Sequence, residues 1–435
     1  MGPLLVQLQR QQKDSQRPLL GALALAALTA APASAQSDRH EFYFDASAGY
    51  VSASTDLGAW TDGAVGKLRH ADDGLTGFRL FGEYHGRITP TLRARIVADY
   101  VDDASGGLDL TEAVIDWRPI PRSRNQHQVR FGAFYPAFSL ENGDRGWQSP
   151  FTYSYSAINT WLGEEIRPFG AEWSLRRRLE GVHSAHELRV FAAGFYGNDP
   201  AGTLLFWRGW SLHDRQTRLN DELEIPPLPF TTNPQRLSPF METDHRPGAY
   251  AGAEWRYARR ALVQVARYDN RADPWSFRDR QWGWGTDFNH LAVQVGLPAE
   301  LGLVYQWMDG TTEWLTAALP NGTRLPLSER VQDRFSSQFV MLTRKLAANQ
   351  RVAVRYDMFE TERPRSVPVL RSDEGHAWTL SYRIDFMERV SGGVEWLRIE
   401  SERDLWPAFY NTARAQTEDQ LRLQFSYRLA APSQR

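Results

Sequence analysis

Cysteine is absent from this 435-residue chain, and lysine is nearly absent. The lack of cysteine excludes disulfides, thiolate metal sites, a cysteine nucleophile and a lipidated N-terminal cysteine. Lysine occurs only at Lys13, Lys67 and Lys345, so arginine supplies almost all of the 50 basic residues. They are balanced by 52 acidic residues, and the net charge of −2 leaves no basic excess that would point to nucleic acid.

Long apolar runs are missing as well, and the mean hydropathy is −0.50. A helical membrane protein is therefore excluded, because each spanning helix needs about 20 apolar residues. Aromatic side chains are abundant instead, with 16 Trp, 16 Tyr and 22 Phe. A polar chain so rich in Trp and Tyr is typical of a β-barrel whose rings lie at the two membrane–water interfaces.

The N-terminus has the pattern of a secretory signal peptide. A basic segment, residues 10–17, precedes a short apolar stretch, residues 19–29, and the small-residue pattern Ala33-Ser34-Ala35 follows. We therefore predict a cleaved signal peptide over residues 1–35. The alternative, a membrane anchor, is disfavoured because the apolar stretch is too short to span a bilayer. Residues 36–435 are expected to form one outer-membrane barrel with neither a plug nor a periplasmic domain.

From the start of this region onward, hydrophobic residues recur with a period of two rather than 3.6. In the last segment, Leu421, Leu423 and Phe425 share one face, and polar residues such as Arg422 alternate with them. Slipping a strand by one position would turn arginines towards lipid, at a cost of about 2–4 kcal/mol each. The pattern predicts an all-β protein, a transmembrane antiparallel up-and-down β-barrel of about 16 strands. The strands are predicted near residues 42–53, 75–88, 91–102, 109–118, 127–137, 168–178, 186–197, 248–258, 261–271, 282–294, 300–310, 333–345, 350–361, 375–386, 390–402 and 419–429.

The connections between the predicted strands alternate in length. Those after even-numbered strands are mostly short, and those after odd-numbered strands are longer. Short periplasmic turns and long external loops produce this asymmetry, which places both termini in the periplasm. The third external connection, residues 138–167, is so aromatic that we expect it to fold inward and narrow the lumen. The fourth, residues 198–247, is expected to cover the mouth, to reach a neighbouring subunit or to form a compact surface cap.

Charged residues on the inward face and on the third external loop are the candidate site. The inward faces of the second, third and fifth strands carry a basic pore wall: Arg79, Arg87, Arg93, Arg95 and Arg130. The loop carries the acids expected at the constriction: Glu141, Asp144, Glu164 and Glu165. Loop acids that face wall arginines would create a transverse field, and rings of charge of this kind select solutes. The alternative is that the acids pair with the wall arginines and only hold the loop in place.

The segment that leads into this loop resembles a known family. The stretches Arg130–Pro136 and Ser139–Asn142 are similar to the strand-and-loop pattern of phosphate-selective porins of the O/P type, and Asp109–Ala113 resembles the preceding strand of that family. The resemblance covers roughly residues 75–175. It implies a sixteen-strand barrel, usually trimeric, that passes small anions. The anion path of that family is rich in lysine, whereas the predicted mature chain has only two lysines.

These patterns predict an outer-membrane porin, a water-filled channel for the passive diffusion of small hydrophilic, anionic solutes. Its expected partners are those solutes or ions, outer-membrane lipid and further copies of the chain in a homotrimer; no enzyme activity, cofactor, metal or nucleic acid is expected. Two alternatives stay open. A non-conducting barrel would have its lumen plugged by residues 138–167 and 198–247 and act as a surface receptor, adhesin or scaffold. An outer-membrane hydrolase would need serine, histidine and acidic groups that converge at the rim, and the sequence reveals no such group.

Overall fold

The computed structural model describes residues 40–55, 58–60, 66–102, 107–121, 123–181, 183–225, 236–315, 330–362, 372–404, 407 and 412–429. The predicted signal peptide, residues 1–35, lies outside the described residues. Parts of several external connections lie outside them too.

Within these residues, sixteen strands close into a barrel. Each strand pairs antiparallel with the next one along the chain, and the last strand pairs with the first to complete the closure. The strands are β1 (His40–Ala53), β2 (Gly74–Arg87), β3 (Leu92–Val101), β4 (Leu108–Trp117), β5 (Asn125–Ala133), β6 (Phe169–Arg178), β7 (His186–Tyr196), β8 (Gly248–Tyr257), β9 (Ala261–Asp269), β10 (Gly285–Leu297), β11 (Leu301–Leu315), β12 (Arg330–Ala347), β13 (Gln350–Glu362), β14 (Ser372–Asp385), β15 (Val390–Arg403) and β16 (Ala415–Leu429). The predicted all-β barrel and its number of strands are confirmed.

Strand β16 shows how the barrel sorts its side chains. Leu421, Leu423 and Phe425 are between 46% and 59% exposed, whereas Gln420 and Arg422 are 4% and 6% exposed. A soluble protein would have the reverse arrangement. Here the apolar side chains point outward because lipid surrounds a transmembrane barrel, and the polar side chains point into the lumen.

The outer wall is apolar along the whole barrel and carries many aromatic rings. Its exposed tryptophans, between 37% and 46% exposed, are Trp117, Trp173, Trp255, Trp378 and Trp396. Rings at these outward positions match the aromatic girdles of membrane barrels. A closed barrel with such a wall belongs in the bacterial outer membrane.

The external connections contain the other regular elements. Two α-helices lie there, α1 (Ala157–Glu165) and α2 (Thr203–Trp207), together with a 3₁₀ turn at Arg145–Trp147. No helix among the described residues is long and apolar enough to cross a membrane. Two short ribbons of paired strands are also present: Leu223–Glu224 with Arg236–Leu237, and Phe277–Arg278 with Gln281–Trp282.

Connection lengths follow the predicted alternation. Turns after even-numbered strands are short, as at residues 88–91 and 258–260. Connections after odd-numbered strands are mostly longer, and two of them reach far into the lumen. We call the connection between β5 and β6, residues 134–168, loop 3, and the connection between β7 and β8, residues 197–247, loop 4.

Strand β5 ends earlier than predicted, at Ala133 rather than at residue 137. Gly132 has a φ of 131°, and a Cβ atom there would lie 2.0 Å from the carbonyl oxygen of Ala113. Only glycine accepts that backbone conformation at so close an approach. The chain leaves the wall at Phe134, which is fully buried. Loop 3 therefore starts inside the barrel rather than above it.

The largest hydrophobic core lies inside the lumen. The ring of Trp161 in loop 3 is 5.3 Å from Phe335 and 5.5 Å from Phe288, both on the inner wall. The ring of Trp210 in loop 4 is 6.1 Å from Trp161 and 6.1 Å from Phe335. Inward-facing residues of neighbouring strands complete this core: Phe339, Phe359, Leu397 and Ile399. Apolar packing thus fills the side of the lumen bounded by β7 to β15.

Removing the central ring of this core tests it. We expect Trp161→Ala to lower the free energy of unfolding by about 3–5 kcal/mol, because the ring loses its burial and leaves a cavity. Thermal unfolding of the folded barrel in detergent measures the effect. The control is Trp378→Ala, which removes an outward ring that is 46% exposed and is expected to cost less. Equal destabilisation by both variants would contradict an aromatic core in the lumen.

Candidate functional site: the lumen and its arginine-lined side

Loop 3 crosses the lumen and contacts the wall opposite its two ends. The N–H groups of Leu140 and Glu141 donate to Gln306 Oε1 on β11, at 3.0 and 3.3 Å. The N–H of Ala157 donates to Asp357 Oδ1 on β13 at 3.2 Å. Helix α1 packs against β11, β12 and β13, and all of its residues are buried.

Local sequence determines where α1 begins and ends. Ser156 precedes it, and its hydroxyl accepts a hydrogen bond from the N–H of Asn159 at 3.3 Å, which is a standard N-terminal cap. The helix stops at Glu165, shortly before Pro168. The residue before a proline avoids the helical conformation, so the chain extends there and enters β6.

Glu141 and Arg355 form a buried ion pair between loop 3 and β13. Arg355 Nη1 lies 2.5 Å from Glu141 Oε1, and its Nε lies 2.7 Å from Asp357 Oδ2. The second oxygen of Glu141 accepts from Asn159 Nδ2 at 2.7 Å and from the N–H of Ser156 at 3.0 Å. Losing one partner of a buried pair costs about 3–5 kcal/mol. Glu141 therefore anchors loop 3 and is enclosed by protein.

Glu164 joins loop 3 to loop 4. Its carboxylate accepts from Arg208 Nη1 at 2.8 Å and lies 2.9 Å from His213 Nε2. Burial raises the pKa of Glu164, but Arg208 and His213 outweigh burial and lower it to about 2. Glu164 is therefore an anion at neutral pH and connects the two loops by charge.

Glu165 has a different environment from its neighbour. Its carboxylate accepts from Trp161 Nε1 at 2.5 Å and from the N–H groups of Gly202 and Leu204 at 3.2 and 3.1 Å. Burial raises the pKa of Glu165 to about 7. The side chain thus caps the N-terminus of α2 in loop 4. Near pH 7 it is present in both its neutral and its charged form.

Loop 4 enters the lumen beside α1. Residues 198–218 are buried apart from a partly exposed Trp207. Asp214 lies 3.0 Å from Arg69 Nη1 and 2.8 Å from Arg422 Nη2, so it links loop 4 to the first external connection and to β16. Loops 3 and 4 are therefore held to each other, loop 3 is also held to β11 and β13, and loop 4 is also held to β16.

Three of the five predicted wall arginines have acidic partners on neighbouring strands. The ion pairs, each with an N–O distance of 2.7 Å, are Arg79 with Asp99, Arg95 with Glu112, and Arg130 with Glu172. Arg87 and Arg93 lie opposite each other in register at the periplasmic end and are exposed. A buried arginine needs a nearby carboxylate, and the adjacent strand offers one at short range. These contacts differ from the alternative in which the wall arginines pair with the loop acids.

An open, polar part of the lumen remains beside loop 3. A cavity of about 80 Å³ lies between loop 3 and the wall formed by β1, β2, β14 and β16. Its charged lining residues are Arg69, Arg79, Arg145, Arg383, Arg422 and Arg428, with Asp45, Asp144 and Asp214. A second cavity of about 170 Å³ lies towards the periplasmic turns and shares Asp144, Arg383 and Arg428 with the first. Arginines thus outnumber acids along this side of the lumen, which we call the arginine-lined side.

Three arginines on this side form no ion pair with a carboxylate in the described part of the chain. Arg383 Nη1 donates to the carbonyl of Ser149 at 2.7 Å, and Arg351 Nη1 donates to that of Pro150 at 2.9 Å. Arg145 lies over the ring of Tyr43, 4.8 Å from its centre. The alternation along β14 already predicts an inward Arg383, but its contact with loop 3 joins residues too far apart in sequence to be foreseen.

No protein-family model matches the chain, and no curated protein matches it. Solved structures do match. The outer-membrane channel DcaP of Acinetobacter baumannii is 10% identical, with a TM-score of 0.51 over 90% of this chain and 96% of that one. The anion-selective porin of Comamonas acidovorans is 9% identical, with a TM-score of 0.50 over 90% and 99%. At these identities the likeness shows the fold alone, and that fold is the one of bacterial outer-membrane porins.

The raised pKa of Glu165 is expected to make the stability of the protein depend on pH. Its pKa in the folded protein, about 7, lies above the ordinary value of 4.5, so between these values the folded state keeps a proton that the unfolded state loses. Stability therefore falls as pH rises through this range. A glutamine side chain stays neutral at every pH. We therefore expect the free energy of unfolding of Glu165→Gln to fall by on the order of 2 kcal/mol less than that of the unaltered protein between acid and neutral pH. Thermal unfolding over this pH range measures the difference.

The exposed acid Glu222 in loop 4 supplies the control for this experiment. Its side chain is 51% exposed, so Glu222→Gln is expected to keep the pH profile of the unaltered protein. If Glu165→Gln also keeps that profile, the buried carboxyl is not the group that titrates.

Proposed function

We propose that the protein is an outer-membrane porin that lets small hydrophilic, anionic solutes diffuse along the arginine-lined side of its lumen. The observation that carries this proposal is the lining of the cavity beside loop 3, where six arginines face three aspartates. The proposal includes no catalytic activity and no resident cofactor. Trimeric assembly, which the resemblance to phosphate-selective porins implies, is part of it.

The excess of arginine supports selection by charge. Arg351 and Arg383 use backbone carbonyls as partners, so their positive charges are not cancelled locally. An anion that enters replaces lost hydration with these fixed cations, while a cation meets repulsion. The field is strong because a narrow lumen with low-dielectric walls focuses it.

The small volume of the cavity beside loop 3 supports selection of solutes by size. A volume of about 80 Å³ beside loop 3 holds a few water molecules or one small ion with part of its hydration shell. An empty sixteen-strand barrel would instead leave a wide aqueous channel. We therefore propose inorganic anions and short carboxylates as the solutes.

The residues singled out from sequence take different parts in this proposal. Arg79 and Asp144 line the passage and act on the solute directly, and Arg87 and Arg93 gather anions at the periplasmic mouth. The other residues singled out from sequence stabilise the barrel and its loops, because they are held in ion pairs or buried in loop contacts. They are Arg95, Arg130, Glu141, Glu164 and Glu165.

A second candidate function is a sealed barrel that serves as a surface receptor, adhesin or scaffold. The aromatic core around Trp161 and Trp210 favours it, since loops packed that way resemble a plug. The two candidates differ in one property, which is whether ions cross the folded barrel.

Single-channel recording in a planar bilayer under a salt gradient distinguishes them. We expect small, stable conductance steps with a reversal potential that indicates anion preference. Replacing two of the three arginines that form no ion pair, Arg351→Gln with Arg383→Gln, should lower the anion-to-cation permeability ratio by about twofold or more. The control is Arg267→Gln on the outer wall, where the side chain is 57% exposed and cannot act on the lumen.

Two results of the recording would contradict the proposal. Cation preference in the unaltered protein would contradict the anionic part of the proposal. A folded barrel that gives no steps would contradict the porin itself and favour the sealed barrel.

A further inference from the structure

Three carboxylates meet where the two ends of loop 4 come together. Asp199 lies at the start of the loop, Glu242 and Asp244 lie at its end, and one carboxylate oxygen of each is within 4.8 Å of the others. The backbone holds them there, because the N–H of Asp199 donates to the carbonyl of Met241 at 3.2 Å. The hydroxyl of Thr243 donates to Asp199 Oδ2 at 2.9 Å. The cluster is thus built from both ends of one loop.

One buried oxygen atom of this cluster has no partner. Asp199 is 1% exposed, and its Oδ1 accepts no hydrogen bond from any described residue. Unpaired buried polar atoms are rare, and this one indicates a missing group beside it.

The charges around the cluster do not cancel. Arg246 has its Nε 3.9 Å from Asp244 Oδ2 but gives its Nη2 to Asp273 at 2.8 Å. Among the described residues, neither Asp199 nor Glu242 forms an ion pair with an arginine, a lysine or a histidine.

We propose that Asp199, Glu242 and Asp244 bind a calcium ion that ties the two ends of loop 4 together. The donor set consists of carboxylate oxygens without cysteine or histidine, which hard cations prefer. Two ligands of one Ca²⁺ lie at most about 4.8 Å apart, twice a typical bond of about 2.4 Å. The three carboxylate oxygens lie within that limit of one another. Water or backbone carbonyls complete the six to eight ligands that Ca²⁺ takes, and no dedicated calcium-loop spacing is required.

The position of the site gives the ion a structural role. Asn198, next to Asp199, donates to the carbonyl of Glu165 at the end of α1 and to that of Pro239 at 3.1 Å. The calcium site therefore adjoins the point where loops 3 and 4 are joined. A bound ion is expected to keep loop 4 inside the lumen, whichever solute crosses the barrel.

Calcium binding to the full chain, folded in detergent without lipopolysaccharide and treated with chelator, tests the proposal. Isothermal titration with Ca²⁺ alone should show one saturable site. Asp199→Asn and Glu242→Gln should each weaken it about 10- to 100-fold, as loss of a metal-site group does. The control is Glu222→Gln in the same loop, an acid that pairs with Arg236 on the surface and lies outside the cluster.

Trypsin digestion supplies an independent readout. Arg208, Arg215 and Arg218 of loop 4 are buried, so Ca²⁺ should slow cleavage there in the unaltered protein and in Glu222→Gln but not in Glu242→Gln. Glu242 is less buried than Asp199, so Glu242→Gln decides the result if Asp199→Asn fails to fold.

The proposal is overturned if the unaltered protein shows no saturable Ca²⁺ binding, or if Glu242→Gln binds as tightly as the control. A neutral, protonated Asp199 would then account for the unpaired Oδ1. Binding of Ca²⁺ with no change in trypsin cleavage would contradict the tying of loop 4.

Discussion

A backbone that crosses lipid has no water to bond with, and this constraint shapes the whole molecule. Sixteen strands satisfy it by pairing each with the next and closing β16 onto β1. The outer wall then presents apolar side chains such as Leu423 to lipid, and polar side chains such as Arg422 point into the lumen. Arg355, buried inside the barrel, pairs with Asp357 on its own strand and with Glu141 of loop 3. The pair with Glu141 helps to hold loop 3 inside the lumen.

The two sides of the lumen have different chemistry because two loops share it. Loop 3 brings Trp161 against the inner wall, loop 4 adds Trp210, and together they form an aromatic core. The charge pair of Glu164 with Arg208 joins the loops, so neither can move without the other. What remains open is the arginine-lined side, where backbone carbonyls rather than acids hold Arg383. A barrel wide enough for a large channel is thereby reduced, on this side, to a small cavity lined mainly by arginines.

Sequence alone predicts the strands well, because the alternation of apolar and polar residues indicates which side chains face lipid. Arg422 and Leu423 are adjacent and point to opposite sides, as their polarity indicates. Alternation fails where the lumen itself is apolar. Phe339 is buried inside and Val340 is exposed outside, and both are hydrophobic, so their polarity cannot distinguish lipid from packed loops. The partners of the loop acids were not predictable either, since Glu141 and Arg355 are 214 positions apart.

The central claim is that the lumen is packed on one side and open on the other. The absence of native cysteine allows a direct test, in which single cysteines are introduced on the inner wall and exposed to a charged, membrane-impermeant thiol reagent. Ser426→Cys lies in the lining of the open cavity, and Ala353→Cys lies in the aromatic core, where the native residue is 1% exposed. The account predicts rapid labelling of the first and little or none of the second in the folded barrel. Equal labelling of both would contradict it.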